Sequence, residues 1–213
     1  ENIHIHRDYL TEDMDLGRTF DVVISLNALE HVIDPASFLR AIRKHLSDDG
    51  MVFLKMPECG NSFRQGDLGL CVHEHISYFT PDSLDALLLR SGLKRVAEDN
   101  YLGALQIVAR KADFAQDVSC ASTVDLLAHF HTQSQANINF LQAFAKQHRG
   151  ERAAFVGASA GLANALHLSN VAADLDLEIF DGDALKVGRY LPGIDGPILL
   201  TGDERLERHK WIF

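Results

Sequence analysis

The residues best placed to do chemistry form one short run, Cys71-Val-His-Glu-His-Ile-Ser-Tyr-Phe-Thr-Pro81. Three titratable side chains in a row, His73, Glu74 and His75, stand between an irregular stretch and a helix start, a setting that packing alone explains poorly. In an extended backbone His73 and His75 share one face and Glu74 takes the other. An imidazole titrates near neutrality, so His75 is suited to general acid–base work, with Glu74 able to orient or polarise a substrate group. A hydrogen-bonded turn ahead of the helix is the alternative reading. Two histidines could begin a zinc site, but the helical HExxH spacing is not met and no further ligands are obvious, so no metal is expected.

A second candidate is Asn27-Ala-Leu-Glu-His31, which follows the β-branched run Phe20-Asp-Val-Val-Ile-Ser-Leu26. Ligands of open parallel sheets sit outside the carboxyl ends of strands, and this loop occupies such an end. Its polar residues either touch a ligand or only cap backbone groups. A third is Gly157-Ala-Ser-Ala-Gly161, two glycines after a strand without the GxGxxG spacing. No ribose-binding carboxylate is evident at the usual distance beyond it.

These candidates must be positioned by alternating strands and helices. Phe20–Leu26 reads as a strand buried on both faces, with Val22 and Ile24 in the core. Asp34-Pro35 starts a helix carrying Phe38, Leu39, Ile42 and Leu46 at helical spacing. Asp48-Asp49-Gly50 supplies a turn, and residues 51–56 the next strand, so the unit is β-α-β with parallel strands. Glu58–Val72 shows little periodicity and reads as a functional or disordered loop. Thr80-Pro81-Asp82-Ser83 opens another helix, and two strand-like runs, 93–98 and 104–109, follow it. A polar, mostly helical stretch runs from Asp113 to Gln147. Strands at 152–157, 177–180 and 197–200, with a helix over 161–169, then make a second β-α-β unit.

The chain has 213 residues, enough for at most two compact domains. With 46% apolar and 23% charged residues it has the composition of a globular protein. The net charge of −10 argues against a phosphate-tracking protein, which normally shows a basic face, so no nucleic-acid partner is expected. No apolar run reaches the roughly 18 residues of a membrane span. Cys59, Cys71 and Cys120 form no CxxC pair, which points to reduced thiols in a cytoplasmic protein. The residue pattern implies no particular oligomeric state.

The pattern FDVV…LEHV.DP…FL….L…G, from Phe20 through Gly50, resembles class I S-adenosylmethionine-dependent methyltransferases. The resemblance implies a Rossmann-like sheet whose terminal hairpin is the 93–109 region. It also implies that Asn27, Ala28, Leu29 and Glu30 lie near the cofactor. Ile3–Tyr9 then matches the preceding strand, and Asp8 and Tyr9 the positions that meet the adenine; a solvated loop acid is the other reading of Asp8. The glycine-rich cofactor loop and the acid that grips the ribose are expected upstream of Glu1, making the chain a fragment.

Glu-His followed by an aromatic and a Thr-Pro helix start is similar to sugar C-methyltransferases acting on nucleotide-linked deoxysugars. Phe155-Val-Gly-Ala-Ser-Ala-Gly161 and Lys186-Val-Gly-Arg-Tyr-Leu-Pro-Gly-Ile194 match their C-terminal domain. Val72 stands where that family often has tyrosine, and Tyr101-Leu-Gly-Ala104 where it commonly has His-Gly-Gly-Ser. The resemblance implies that His75 is the base, that Glu74 binds or polarises the sugar, and that Tyr78 donates to an oxyanion or packs. Arg189 and Tyr190 contact a diphosphate or brace a turn. The implied organisation is the later part of a methyltransferase domain over 1–111, a helical connector over 112–148 and a smaller Rossmann-like subdomain over 149–213. The competing functional class is a non-catalytic binding or scaffold relative.

Overall fold

The computed structural model describes residues 3–101, 103–116, 118 and 124–213; Cys120, and Leu102 of the Tyr101–Ala104 run, lie outside them. The chain forms two compact units, Glu1–Ser62 with His73–Thr123, and Phe63–Val72 with Val124–Phe213.

The first unit contains β1 (Phe20–Leu26), α1 (Pro35–His45), β2 (Leu46–Pro57) and the start of α2 (Cys59–Gln65). After the chain returns at His73 come α3 (Pro81–Arg90), β3 (Leu93–Tyr101) and β4 (Ala104–Lys111). The sheet order is β1-β2-β4-β3, with β1 parallel to β2, β4 antiparallel to β2 and β3 antiparallel to β4. Local chemistry accounts for the helix starts. Asp34 accepts the Ser37 amide at 2.9 Å with Pro35 in the first turn. Thr80 and Ser83 satisfy each other's backbone amides in a reciprocal capping box. Leu39, Ile42, Leu46, Leu54, Leu84, Leu88, Leu93, Leu105 and Ile107 are almost wholly buried in one cluster. Each contributes about 1.5–3 kcal/mol relative to exposure.

Four expectations are corrected here. Strand β2 begins at Leu46, because Leu46 pairs with Phe20 and the ladder shifts register before Val22 meets Met51. The Asp48-Asp49-Gly50 signal therefore makes an irregularity within a strand. Strand β1 is not buried on both faces, since Val22, Ile24 and Leu26 are 54%, 64% and 54% exposed. It lies at the sheet edge, and side chains alternate across it, so Val23 packs on the core while its neighbours do not. Residues 3–9 form no strand, and Ile3 and Ile5 are exposed. Alternation needs a hydrogen-bonding neighbour to become a strand, and no described strand pairs with them. Finally, the expected 58–72 loop holds α2 and a single 3₁₀ turn, Leu68–Leu70. Glu58 accepts the amides of Gly60 and Asn61, and Asp67 that of Gly69, so polar residues that read as loop punctuation are caps.

The second unit contains α4 (Val124–Gln147), β5 (Arg152–Val156), α5 (Ala160–Ser169), β6 (Asp176–Asp181), β7 (Leu199–Leu200) and β8 (Trp211–Ile212). Its four strands are all parallel, in the order β7-β6-β5-β8. Residues 63–72 belong to this unit: Phe63 meets Phe130 of α4 edge-on at 5.2 Å, and Asn164 of α5 donates to the carbonyls of Leu68 and Cys71. Each unit thus sets helices on a sheet with parallel strands, a Rossmann-like α/β architecture. No described helix is long and apolar enough to cross a membrane.

Candidate functional site

At the carboxyl end of β1 the chain turns sharply. Asn27 adopts a left-handed backbone (φ 47°), which asparagine tolerates, and its amide donates to the Lys55 carbonyl at 2.8 Å. One 3₁₀ turn, Leu29–His31, follows and buries Leu29 and Glu30. The Glu30 carbonyl accepts the amides of Ile76 and Ser77 at 2.9 and 3.1 Å. His31 Nδ1 donates to the Glu74 carbonyl at 2.8 Å. These three bonds bring the two sequence candidates together: the rings of His31 and His75 meet edge-on at 5.0 Å. His75 also faces Tyr78, with ring centroids 6.3 Å apart.

The three titratable residues of the run part company. His73 and Glu74 sit in a turn rather than an extended strand, so His73 and His75 do not share a face. The His73 side chain is 93% exposed, whereas His75 is half-buried. The Glu74 side chain is exposed near His73, while its backbone carbonyl holds His31. Beside them lies a cleft of about 740 Å³, bounded by Tyr9, Asn27, Ala28, His31, Asp34 and Ile76 among others. Of the residues expected at the cofactor, Tyr9, Asn27 and Ala28 line this cleft. Asp8 borders a smaller hollow with Arg7 and Tyr9. Leu29 and Glu30 do not line the cleft; the short turn directs both inward.

Sequence reasoning missed His31 as a partner of His75. Its only signal was membership of the Asn27–His31 loop, since the approach to His75 depends on backbone bonds between distant segments. Cys59 is no nucleophile here: burial raises its thiol to about 11. Burial likewise raises the Cys71 thiol.

In the second unit the Gly157–Gly161 turn joins β5 to α5, and Asp181 ends the neighbouring parallel strand. That is where a ribose-binding acid stands in dinucleotide folds, a position sequence reading overlooked because the glycine spacing was wrong. Here the carboxylate is already engaged, accepting from Ala158 N, Asp183 N and Lys186 Nζ, each at 2.8 Å. Gly161 packs so closely on Gly69 that a Cβ would come within 2.8 Å of its Cα. Arg189 and Tyr190 are exposed and brace the adjoining turn through their backbone, with Ile198 N donating to Arg189 O at 2.7 Å.

The Lys186 ammonium, then the Asp183 amide, hold the Asp181 carboxyl below its ordinary range. A depressed native pKa adds stability above the unfolded-state value and loses it as pH falls through the native one. Asp181→Asn is therefore expected to flatten the acid limb of the stability–pH curve below about pH 4, the ordinary carboxylate value. Urea unfolding at neutral and acidic pH checks this; an unchanged pH slope would contradict it.

Residues 1–98 match the methyltransferase domain family. The methyltransferase-matching stretch spans β1, the Asn27–His31 turn, the cleft and the His73–Tyr78 run. Ubiquinone biosynthesis O-methyltransferase of Ruegeria sp. (strain TM1040) is 31% identical over 98 residues, 41% of this chain and 40% of that protein. The enzyme of the same name from Cereibacter sphaeroides (strain ATCC 17025) is 31% identical over 102 residues, 43% and 41% of the two chains. The chain spans about 40% of the length of these curated relatives. Among solved structures, the Burkholderia thailandensis 1,6-didemethyltoxoflavin-N1-methyltransferase is similar at a TM-score of 0.38 and 19% identity, covering 48% of each chain.

Proposed function

We propose that this protein transfers a methyl group from S-adenosylmethionine to a small molecule, and that the acceptor is a carbon atom of a nucleotide-linked keto sugar. The observation that carries this reading is the cleft at the carboxyl end of β1, which has His31 on its wall and His75 beside His31. Its volume of about 740 Å³ lies within the usual range for cofactor sites. Ala28, Val32, Ile33 and Phe38 offer apolar walls to an adenine, and Asn27 and Asp34 offer polar groups. The bound cofactor supplies an electrophilic methyl group on a positively charged sulfur.

The chain's own residues then have defined tasks. His75 accepts the proton from the carbon beside the keto group, and the electrons of that C–H bond form the enolate. The enolate carbon is the nucleophile that would take up the methyl group, and the donor would leave as a neutral thioether that keeps the electrons of the broken sulfur–methyl bond. The exposed Glu74 carboxylate accepts hydrogen bonds from sugar hydroxyls, and Tyr78 lies beside His75 where a hydroxyl can steady the enolate oxygen.

The similarity to ubiquinone biosynthesis O-methyltransferases favours a second acceptor class, a phenolic hydroxyl, for which the same base would remove an O–H proton. The two are separated by supplying methyl-labelled cofactor with either a nucleoside-diphosphate 4-keto-deoxysugar or a catechol. Label on carbon of the sugar is expected, with His75-dependent exchange of the α-proton into deuterated water when cofactor is omitted. Label on the catechol oxygen alone would overturn the sugar reading and keep the methyl transfer.

A further inference from the structure

The geometry points to a divalent-cation site formed by Glu30, His31 and His75, a binding function beyond the methyl transfer proposed above. One ligand atom from each of these side chains lies within 4.8 Å of the others, and among the described residues this is the one such group of three. The tautomer of His31 follows from its partner. A carbonyl can only accept, so Nδ1 carries the hydrogen it gives to Glu74 O, and in the neutral ring Nε2 bears the lone pair. That lone pair stands 3.8 Å from Glu30 Oε1, so two acceptors face each other. Glu30 is 2% exposed, and its other oxygen, Oε2, is buried without a hydrogen-bond partner. A buried carboxylate left with an unsatisfied oxygen is costly, and a cation bound by both its oxygens and shared with two imidazoles removes that cost.

The surroundings suit a metal ion. A ligating histidine normally gives its second ring N–H to a carbonyl or carboxylate, as His31 does. Two imidazoles and one carboxylate match the ligand set of open, borderline-soft divalent sites, which prefer zinc-class ions to magnesium. Metal–ligand bonds near 2.0–2.1 Å require the three atoms to draw closer than they stand here. Rotation of the half-buried His75 ring and of the Glu30 carboxylate about its side-chain bonds supplies that movement, while the two amide bonds to Glu30 O keep its backbone in place.

The site is tested on the full chain by titrating zinc against a chromophoric chelator and by recording the visible absorption of the cobalt(II) form. One ion per chain is expected, with Kd in the micromolar range or tighter and ligand-field bands in the cobalt spectrum. Glu30→Gln and His31→Ala should each weaken binding by roughly 10-fold or more, a loss that disturbing even a supporting group can cause. His73→Ala and Cys71→Ser should leave affinity unchanged. Glu30→Gln is isosteric, and His31 lies on the cleft surface, so circular dichroism can confirm that at least one of these variants keeps its fold. Absence of a one-to-one complex, or full affinity in a folded His31→Ala variant, would overturn the site. Coordination through His75 also occupies the lone pair needed for proton removal, so zinc should inhibit methyl transfer. Stoichiometric binding that His75→Ala weakens as Glu30→Gln and His31→Ala do, but without inhibition of methyl transfer, would leave the site standing and overturn the role of His75 as base.

Discussion

Replacing His75 by glutamine is expected to lower turnover by about 10²–10⁴-fold while leaving cofactor affinity nearly unchanged, the span usual for loss of a general base. His75 sits beside the cleft wall at His31 and is not itself among the cleft's lining residues, so its removal spares the surface that would hold the cofactor. A histidine that only packed would behave differently, losing thermal stability and cofactor affinity together. His73→Gln is the matched control, since the His73 side chain is 93% exposed and has no task in the proposed reaction. Steady-state rates and cofactor titrations on both variants decide the matter. Equal losses at the two positions, or none at either, would contradict the assignment.

The largest expected effect on stability lies in the second unit, at Gly66. Its φ of +65° belongs to the left-handed region, and a Cβ there would stand 2.4 Å from the Ser134 amide nitrogen and 2.6 Å from the Gln133 carbonyl carbon of α4. Those are backbone atoms of a helix, so no side chain can rotate out of the way. Gly66→Ala combines backbone strain with overpacking and should cost about 2–4 kcal/mol. Trp211 is the sole tryptophan of the chain and packs against Phe144 and His148 of the same unit, so its fluorescence follows the unfolding of that unit. An unfolding free energy from urea titration within about 0.5 kcal/mol of wild type, the scatter of ordinary surface changes, would contradict the close approach.

Much of the architecture was legible where local signals agreed with one another. Asp34-Pro35 and Thr80-Pro81 marked helix starts that the caps confirm atom by atom, and the short apolar runs at 20–26, 104–109 and 152–157 are strands. The signals failed where tertiary partners decide. The alternation in residues 3–9 was not enough to make a strand without a neighbouring ladder, and the apolar character of Val22 and Ile24 could not show that only one face of β1 is covered. Asn61, Gly66, Asp67 and Gly69 looked like loop residues because the same residue types cap helices and end them. At the site, composition singled out His75 and Glu74, but periodicity could not reveal that the Glu74 contribution is partly its backbone carbonyl. The pairing of His75 with His31 is a product of bonds between Glu30 O and the Ile76 and Ser77 amides, which no local pattern encodes.

In the proposed function the cleft walled by Asn27, Ala28 and His31 holds the methyl donor. Calorimetric titration with S-adenosylhomocysteine tests it most directly when wild type is compared with Ala28→Trp, whose indole would fill the cleft. Micromolar binding to wild type, abolished in a folded Ala28→Trp variant, is the predicted result. No heat of binding to wild type at millimolar ligand, or equal affinity in the two proteins, would contradict it.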